Sequence, residues 1–381
     1  MKGGSALKRA LCGSGAIAPN VPAPALVRVS CSVRAKITSC KRLVRSPTIF
    51  APKEIANKWS VAYRPGMDDQ TTSKHRFVEK RSLGAHPKSD ESLIGFVARL
   101  AERQRVQTVN TVFVEIGPSV ANNRFYDEPA ARLAHLAGTT VDAIRTISYG
   151  PVDSSVAVFR GRKLPAKMLD VFARRYRRLC PRCLEESAHH RCWWDVQAIS
   201  VCPIHKLALI AACPKCKKGF VWKGSGVLTS SCACELDLRG LACAAVTDDE
   251  SAATGVMHGL LGDPRFQDEA NQIKSLPPLS DLDDGHAAEF LFRLGLDLLG
   301  PRRKPFSAST TGDLLFRTHE AVKASCDVVK SWPNQLIDIQ SAWAASDDPE
   351  VCKHAQKSAA AMQRWVNHLP PDQGLDLRDF I

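Results

Sequence analysis

Apolar positions recur at helical spacing in separate parts of the chain, divided by a cysteine-rich stretch that lacks such a period. Leu93, Phe96, Val97 and Leu100 stand at i, i+3, i+4 and i+7 and predict a helix. It opens at Ser89-Asp90-Glu91-Ser92, with Ser89 or Asp90 as the expected N-cap. Residues 111–116, Thr-Val-Phe-Val-Glu-Ile, read as a short strand or a loop leading to Gly117-Pro118. Leu133, Leu136 and Ala137 form another helix face, ended by Gly138, which suits a left-handed C-terminal cap. Thr139 with Asp142 three residues on resembles a capping box, opening a further helix with Ile144 and Ile147 inward. Val156–Phe159 predicts a short strand in a loop ending at Pro165, and a helix from about Ala166 carries Met168, Leu169 and Phe172. Beyond Cys243, residues 246–284 read as a connecting region with short helices. Helices are then predicted over Ala287–Leu299, stopped by Gly300-Pro301, over Asp313–Lys330 and over Pro349–Leu369.

The expected fold is therefore mainly α and multidomain. A basic extension spans 1–88, and a helical domain with a helix-turn-helix-like segment spans 89–179. A double zinc-finger or ribbon module with short strands follows over 180–243, then a helical C-terminal domain over 244–381. Ala134, Gly138 and Ile144 are placed as in a helix-turn-helix: a small residue under the crossing, glycine in the turn, a branched residue in the second helix. A DNA-reading version would send Thr140, Ala143 and Arg145 towards a groove. An ordinary helical hairpin fits the same three positions.

Charge changes this picture less than its total suggests. The formal net charge is +13, yet residues 1–88 hold 17 Lys and Arg against 4 Asp and Glu, and the remaining 293 residues balance at 35 against 35. The excess belongs to the tail, whose scattered Pro, Gly and Ser read as disordered. It is either a phosphate-binding arm or an over-extended start, with Met67 an in-chain alternative first residue. In the balanced part, Arg174, Arg175, Arg177 and Arg178 surround Tyr176 just before Cys180. They are either phosphate contacts or a solvated helix face. No unbroken apolar run approaches a membrane span, and residues 16–27 are broken by Pro19, Pro22 and Pro24. The expected location is cytoplasmic, where thiols stay reduced.

The chemistry sits between Cys180 and Cys234. Of 14 cysteines, seven fall there in pairs, with one histidine: Cys180-Pro-Arg-Cys183, Cys202-Pro-Ile-His205, Cys213-Pro-Lys-Cys216 and Cys232-Ala-Cys234. Proline after cysteine sets an extended geometry that favours a tight turn presenting two ligands to one ion. Eighteen residues separate the first two pairs and fifteen the last two. Taken in order, the pairs make a site of three cysteines and one histidine and a site of four cysteines, both suited to tetrahedral Zn2+. The expected cofactor is two structural zinc ions. Eight ligands close two sites, whereas a catalytic zinc keeps an open position beside a general base. No catalytic constellation is found elsewhere. A redox reading of one Cys-x-x-Cys must ignore the other three pairs. Cys192 and Cys243 lie nearby without a paired partner.

These residues carry a family resemblance. Glu91-Ser92-Leu93 opening a helix, Leu179-Cys180-Pro-Arg-Cys183-Leu184-Glu185, Trp194, Val201-Cys202-Pro-Ile-His205 with Leu209, and Cys213-Pro-Lys-Cys216 together resemble the TniQ family, which includes the TnsD-type target selectors. The resemblance covers about residues 89–240. Where the family often has glycine after the Cys-x-Cys pair, this chain has Glu235. The resemblance implies an accessory transposition protein, not an enzyme, that selects a target site. Its implied partners are DNA at an attachment site, a transposition ATPase, or an RNA-guided complex. No membrane partner is expected, and a homodimer is left open. The alternative is a zinc-stabilised protein–protein scaffold, or a DNA-binding regulator outside transposition.

Overall fold

The computed structural model describes residues 84–116, 128–152, 155–166, 168, 177–222, 226–300 and 318–380. All lie within the unit Phe77–Ile381. The expectations for 1–83, the helix around Leu169 and Phe172, Arg174, Arg175, Leu314 and Leu315 fall outside the described residues.

Helix α1 (Leu93–Arg103) forms as its apolar spacing predicts, but its cap is Ser92, whose hydroxyl accepts from Gly95 N at 3.0 Å. Ser89 and Asp90 stand outside the helix, and Asp90 has a different task, described below. The predicted strand or loop at 111–116 is instead helix α2 (Val109–Ile116). Its branched residues raise strand propensity, but Val109, Val112 and Ile116 share one helical face that is buried, while Val114 points outward at 71% exposure. Helix α3 (Glu128–Ala137) ends at Gly138, whose φ of +63° is the left-handed cap the sequence indicates. Helix α4 (Val141–Ile147) is capped by Thr140, not Thr139, because the Thr140 hydroxyl accepts from Ala143 N. Thr139 Oγ1 instead lies 3.0 Å from His86 Nδ1. Ala134 and Ile144 are both buried, and the chain passes directly from α4 into a three-stranded antiparallel sheet.

That sheet has the order β1 (Tyr149–Pro151), β2 (Val156–Phe159), β3 (Arg162–Pro165), in register Tyr149↔Phe159 and Phe159↔Arg162. Ala157 and Phe159 face inward by the period-two alternation of a half-buried strand, and Phe159 meets the edge of Trp193 at 5.7 Å. The cysteine-rich stretch follows with helix α5 (Pro181–Glu186) and a hairpin of β4 (Val201–Cys202) and β5 (Leu207–Ala208).

The stretch read as a connecting region contains a full helix, α6 (Asp248–Leu260), opened by a reciprocal capping box of Thr247 and Glu250. Its buried face mixes small residues, Ser251, Ala253, Thr254, Gly255 and Gly259, with Val256, Met257 and Leu260, so large apolar residues mark only its second half. Helix α7 (Gln267–Lys274) packs back on α6, and α8 (Asp284–Leu298) and α9 (Thr318–Lys330) cross closely at Gly295. A Cβ on Gly295 would collide with the Ala321 carbonyl. Asp283 caps α8, Asp284 pairs with Lys274 and Arg162, and Asp281 accepts from Leu375 N. All three aspartates are thus tied into the fold. Helix α10 (Asn334–Ala344), which no sequence expectation covered, pairs with α11 (Pro349–Val366), and α12 (Leu375–Phe380) follows. The buried apolar residues form one continuous cluster from Ala85 to Leu377, with Trp193, Trp194 and Phe220 of the cysteine-rich stretch inside it. No helix among the described residues is long and apolar enough to cross a membrane.

Candidate metal centres and their surroundings

The structure brings the eight predicted ligands together in two quartets: Cys180, Cys183, Cys202 and His205, and Cys213, Cys216, Cys232 and Cys234. Within each quartet all ligand atoms lie within 4.8 Å of one another.

In the first quartet, Cys180 has the extended backbone that Pro181 imposes (φ −103°, ψ 119°) and stands as the N-cap of α5, with Cys183 in the first turn. The β4–β5 hairpin supplies the other half, since the turn Pro203–Lys206 carries Cys202 and His205 to the same point. A bridge between Leu179 and Ile210, with hydrogen bonds of 3.0 and 2.9 Å, holds the two halves side by side. Cys183 Sγ lies 3.6 Å from Cys202 Sγ, and His205 Nδ1 lies 3.6, 3.3 and 3.5 Å from the sulfurs of Cys180, Cys183 and Cys202. A tetrahedral ion with bonds of about 2.3 Å to sulfur and 2.0–2.1 Å to nitrogen has edges of about 3.8 Å between sulfurs and 3.5 Å from sulfur to nitrogen. The quartet matches those edges. These groups perturb one another: the Cys180 and Cys202 sulfurs push the Cys183 thiol up, while Cys202, accepting from both, is drawn down.

The second quartet is more open. Cys213 is buried and the other three cysteines reach solvent. Its first turn is closed by Cys213 N to Lys218 O and Lys217 N to Cys213 O, both 2.9 Å. Its second is closed by Glu235 N to Cys232 O at 3.0 Å, and Ser230 Oγ lies 3.4 Å from Cys232 Sγ. The residue after the second ligand is left-handed in three of the four pairs: Lys206 (φ +53°), Lys217 (φ +60°) and Glu235 (φ +45°). The turn at Glu235 therefore keeps the geometry that glycine would take most readily.

One side chain that sequence reasoning missed completes the first site. His205 Nε2 lies 2.7 Å from the Glu186 carboxylate, so the ring is held with Nδ1 towards the sulfurs. The sequence trace of this is a carboxylate three residues after Cys183 on a one-turn helix. Cys192 is fully buried, Cys243 half-buried, and neither joins a quartet.

The residues considered for DNA contact divide. Thr140 and Arg145 are exposed, with Arg145 paired to Asp142 at 3.1 Å, and Ala143 is half-buried. Arg177 and Arg178 are buried, at 3% and 1% exposure, so neither presents the solvated face a phosphate contact requires. Arg178 donates to the carbonyls of Trp194, Val196 and Gln197. Arg177 lies over the Trp222 ring at 4.8 Å. Burial pulls both guanidiniums below their ordinary range, Arg177 to about 9 and Arg178 to about 10. His190, whose ring meets Trp194 and Trp222 edge-on, is held neutral by burial, with Nδ1 2.8 Å from Ser92 Oγ and Nε2 2.9 Å from the Arg178 carbonyl.

Residues 82–209 match the TniQ family profile. Over this segment, about a third of the chain, the sequence is similar to the TniQ family. The TniQ segment takes in α1 to β5 and the whole first quartet, and it stops before the second quartet and the C-terminal helices. No curated protein matches the chain.

Proposed function

We propose that the chain is a zinc-stabilised accessory protein of transposition that selects the target site and recruits the transposition machinery. The family match over residues 82–209, which spans the first quartet, carries this reading. Each quartet would hold one Zn2+: Cys180, Cys183, Cys202 and His205 the first, Cys213, Cys216, Cys232 and Cys234 the second. Four protein ligands fill each tetrahedron, so the ions would supply stability rather than chemistry. The purified chain is expected to hold two zinc ions per molecule, and removing them with a chelator is expected to melt the region around Trp193 and Trp194. A single ion, or zinc with exchangeable solvent, would refute the structural assignment.

Recruitment by docking is favoured over direct DNA reading by two observations. Two of the four arginines before Cys180 are buried, and residues 89–381 carry no net charge. Docking to a transposition ATPase or an RNA-guided complex needs no basic face. Direct reading would fall to Thr140, Ala143 and Arg145 at α4, with Arg174 and Arg175. Co-purification with such a partner after nuclease treatment supports docking. Selective, salt-dependent binding to attachment-site DNA over random duplex, lost in Arg145→Ala, would establish direct reading instead.

A further inference from the structure

The first quartet is joined to a run of charged side chains that reaches from the start of α1 to the C-terminal helices. Glu186, at the end of α5, accepts from His205 Nε2 at 2.7 Å, and its other oxygen lies 3.8 Å from Arg191 Nη2. Arg191 Nη1 pairs with Asp90, whose other oxygen is 2.6 Å from His189 Nε2. Arg265 Nη2 stands 4.0 Å from Asp90 and 2.7 Å from Asp263, and Asp263 is 3.0 Å from His258 Nδ1 on α6. His258 is packed between Trp193 and Phe266. The neighbouring carboxylate, Glu185, is turned to Arg182 at 3.3 Å and takes no part.

An imidazole that binds a cation through Nδ1 must carry its proton on Nε2, and a carboxylate at hydrogen-bond distance fixes both that tautomer and the ring angle. Three thiolates around a divalent ion leave an excess negative charge in a largely buried place, and the guanidiniums of Arg191 and Arg265 stand close enough to offset it. From this geometry we infer that Glu186 is a positioning residue of the first site, orienting His205 for the ion and tying that ion, through Arg191 and Asp90, to the contacts that fasten α6. The inference rests on the reading of the quartet as a metal site. The docking of α6 on the same hairpin supports it: Ser251 Oγ donates to Pro203 O at 3.2 Å, Lys206 pairs with Asp248 at 2.6 Å, and Val246 N donates to Lys206 O at 3.0 Å.

The second quartet has no histidine, so it serves as an internal control. The test is competition of the full chain, loaded with two zinc ions, against a metal chelator of known affinity. Glu186→Ala is expected to weaken one ion by about 10–100-fold and leave the other unchanged, with Glu186→Gln, which keeps an acceptor oxygen, in between. In 15N spectra His205 is expected to carry its proton on Nε2 in both proteins, with that proton exchanging with solvent faster in Glu186→Ala, where the carboxylate acceptor is gone. Amide exchange over residues 258–266 is expected to quicken in the same variant. Unchanged affinity at both sites overturns the inference, as does an equal loss at both, which reads as general destabilisation. Fewer than two ions in the wild type overturns the metal reading itself, before any variant is compared.

Discussion

Arg178→Met separates a structural arginine from a phosphate-binding one. The guanidinium donates through Nε to Trp194 O at 3.0 Å, through Nη2 to Val196 O at 2.5 Å and through Nη1 to Gln197 O at 3.2 Å. It thereby clamps the turn that carries Trp193 and Trp194 into the core, two residues before the first ligand. Methionine fills the space and donates nothing. A hydrogen bond from a charged donor contributes about 1.5–3 kcal/mol, and three that share one donor are not additive. The carbonyls of Trp194, Val196 and Gln197 are then left without this donor, and a buried polar group that loses its partner costs about 1–3 kcal/mol. That is a large share of a typical stability of about 5–15 kcal/mol, and it corresponds to a fall in Tm on the order of 10 °C. Denaturant unfolding followed by tryptophan fluorescence reads it directly, because Trp193, Trp194 and Trp222 surround the site. If Arg178→Met unfolds within about 1 kcal/mol of the wild type while DNA affinity falls, with a shallower salt dependence, the structural assignment of Arg178 is refuted.

Three further outcomes are expected. Burial raises the Asp195 carboxyl to about 7, against the opposing pull of Arg178, the Tyr149 hydroxyl and Arg177. Between its ordinary value of 3.8 and about 7 the folded chain holds this proton and the unfolded chain does not. The group therefore lowers stability as pH rises through that window, by up to about 1.4 kcal/mol per unit, and the loss is complete above it. In Asp195→Asn this component should vanish, so the variant's advantage over the wild type should grow from pH 4 to 7 and then level off in denaturation series; a constant difference would disprove it. Lys217→Gly relieves a left-handed residue, at about 1–2 kcal/mol, against about 0.5–1 kcal/mol of extra unfolded-state entropy, and should be neutral to about 1 kcal/mol stabilising by thermal melting. Lys206→Gly should gain less, because the Asp248 pair is lost, and the reverse order would sink the argument. Gly295→Ala should cost about 1–3 kcal/mol or more by forcing α8 from α9, and a variant as stable as the wild type in the same melt would show that the crossing yields.

Much of the site was legible in one dimension because its logic is local. A ligand pair a few residues apart, opened by proline in three of the four cases, favours a tight turn, and the spacing of the four pairs already groups them as the structure does. The helices α1, α8 and α11 were legible for a similar reason, since large apolar residues at i, i+3 and i+4 point one way on any helix. Local pattern misled where competing local partners existed: Ser89 and Asp90 look like caps, but the cap is Ser92, whose hydroxyl also meets His190 from across the fold. It also misled where small residues share the packing, as in α6, or where a branched run fits both a helix and a strand, as in α2.

Long-range charge was decided by the tertiary structure alone. Nothing in the order Arg174 to Arg178 says that Arg177 and Arg178 turn inward, because an arginine's placement depends on whether carbonyls and an aromatic face await it, and those come from residues 194–197 and 222. Likewise Asp90, Glu186, Arg191 and Arg265 are ordinary surface types in sequence and become one run only when loops a hundred residues apart meet. Cysteine spacing fixes which atoms can surround an ion, since the chain between them is short. What stands behind those atoms is set by the whole fold, because a charge is stabilised by neighbours in space and not by neighbours along the chain.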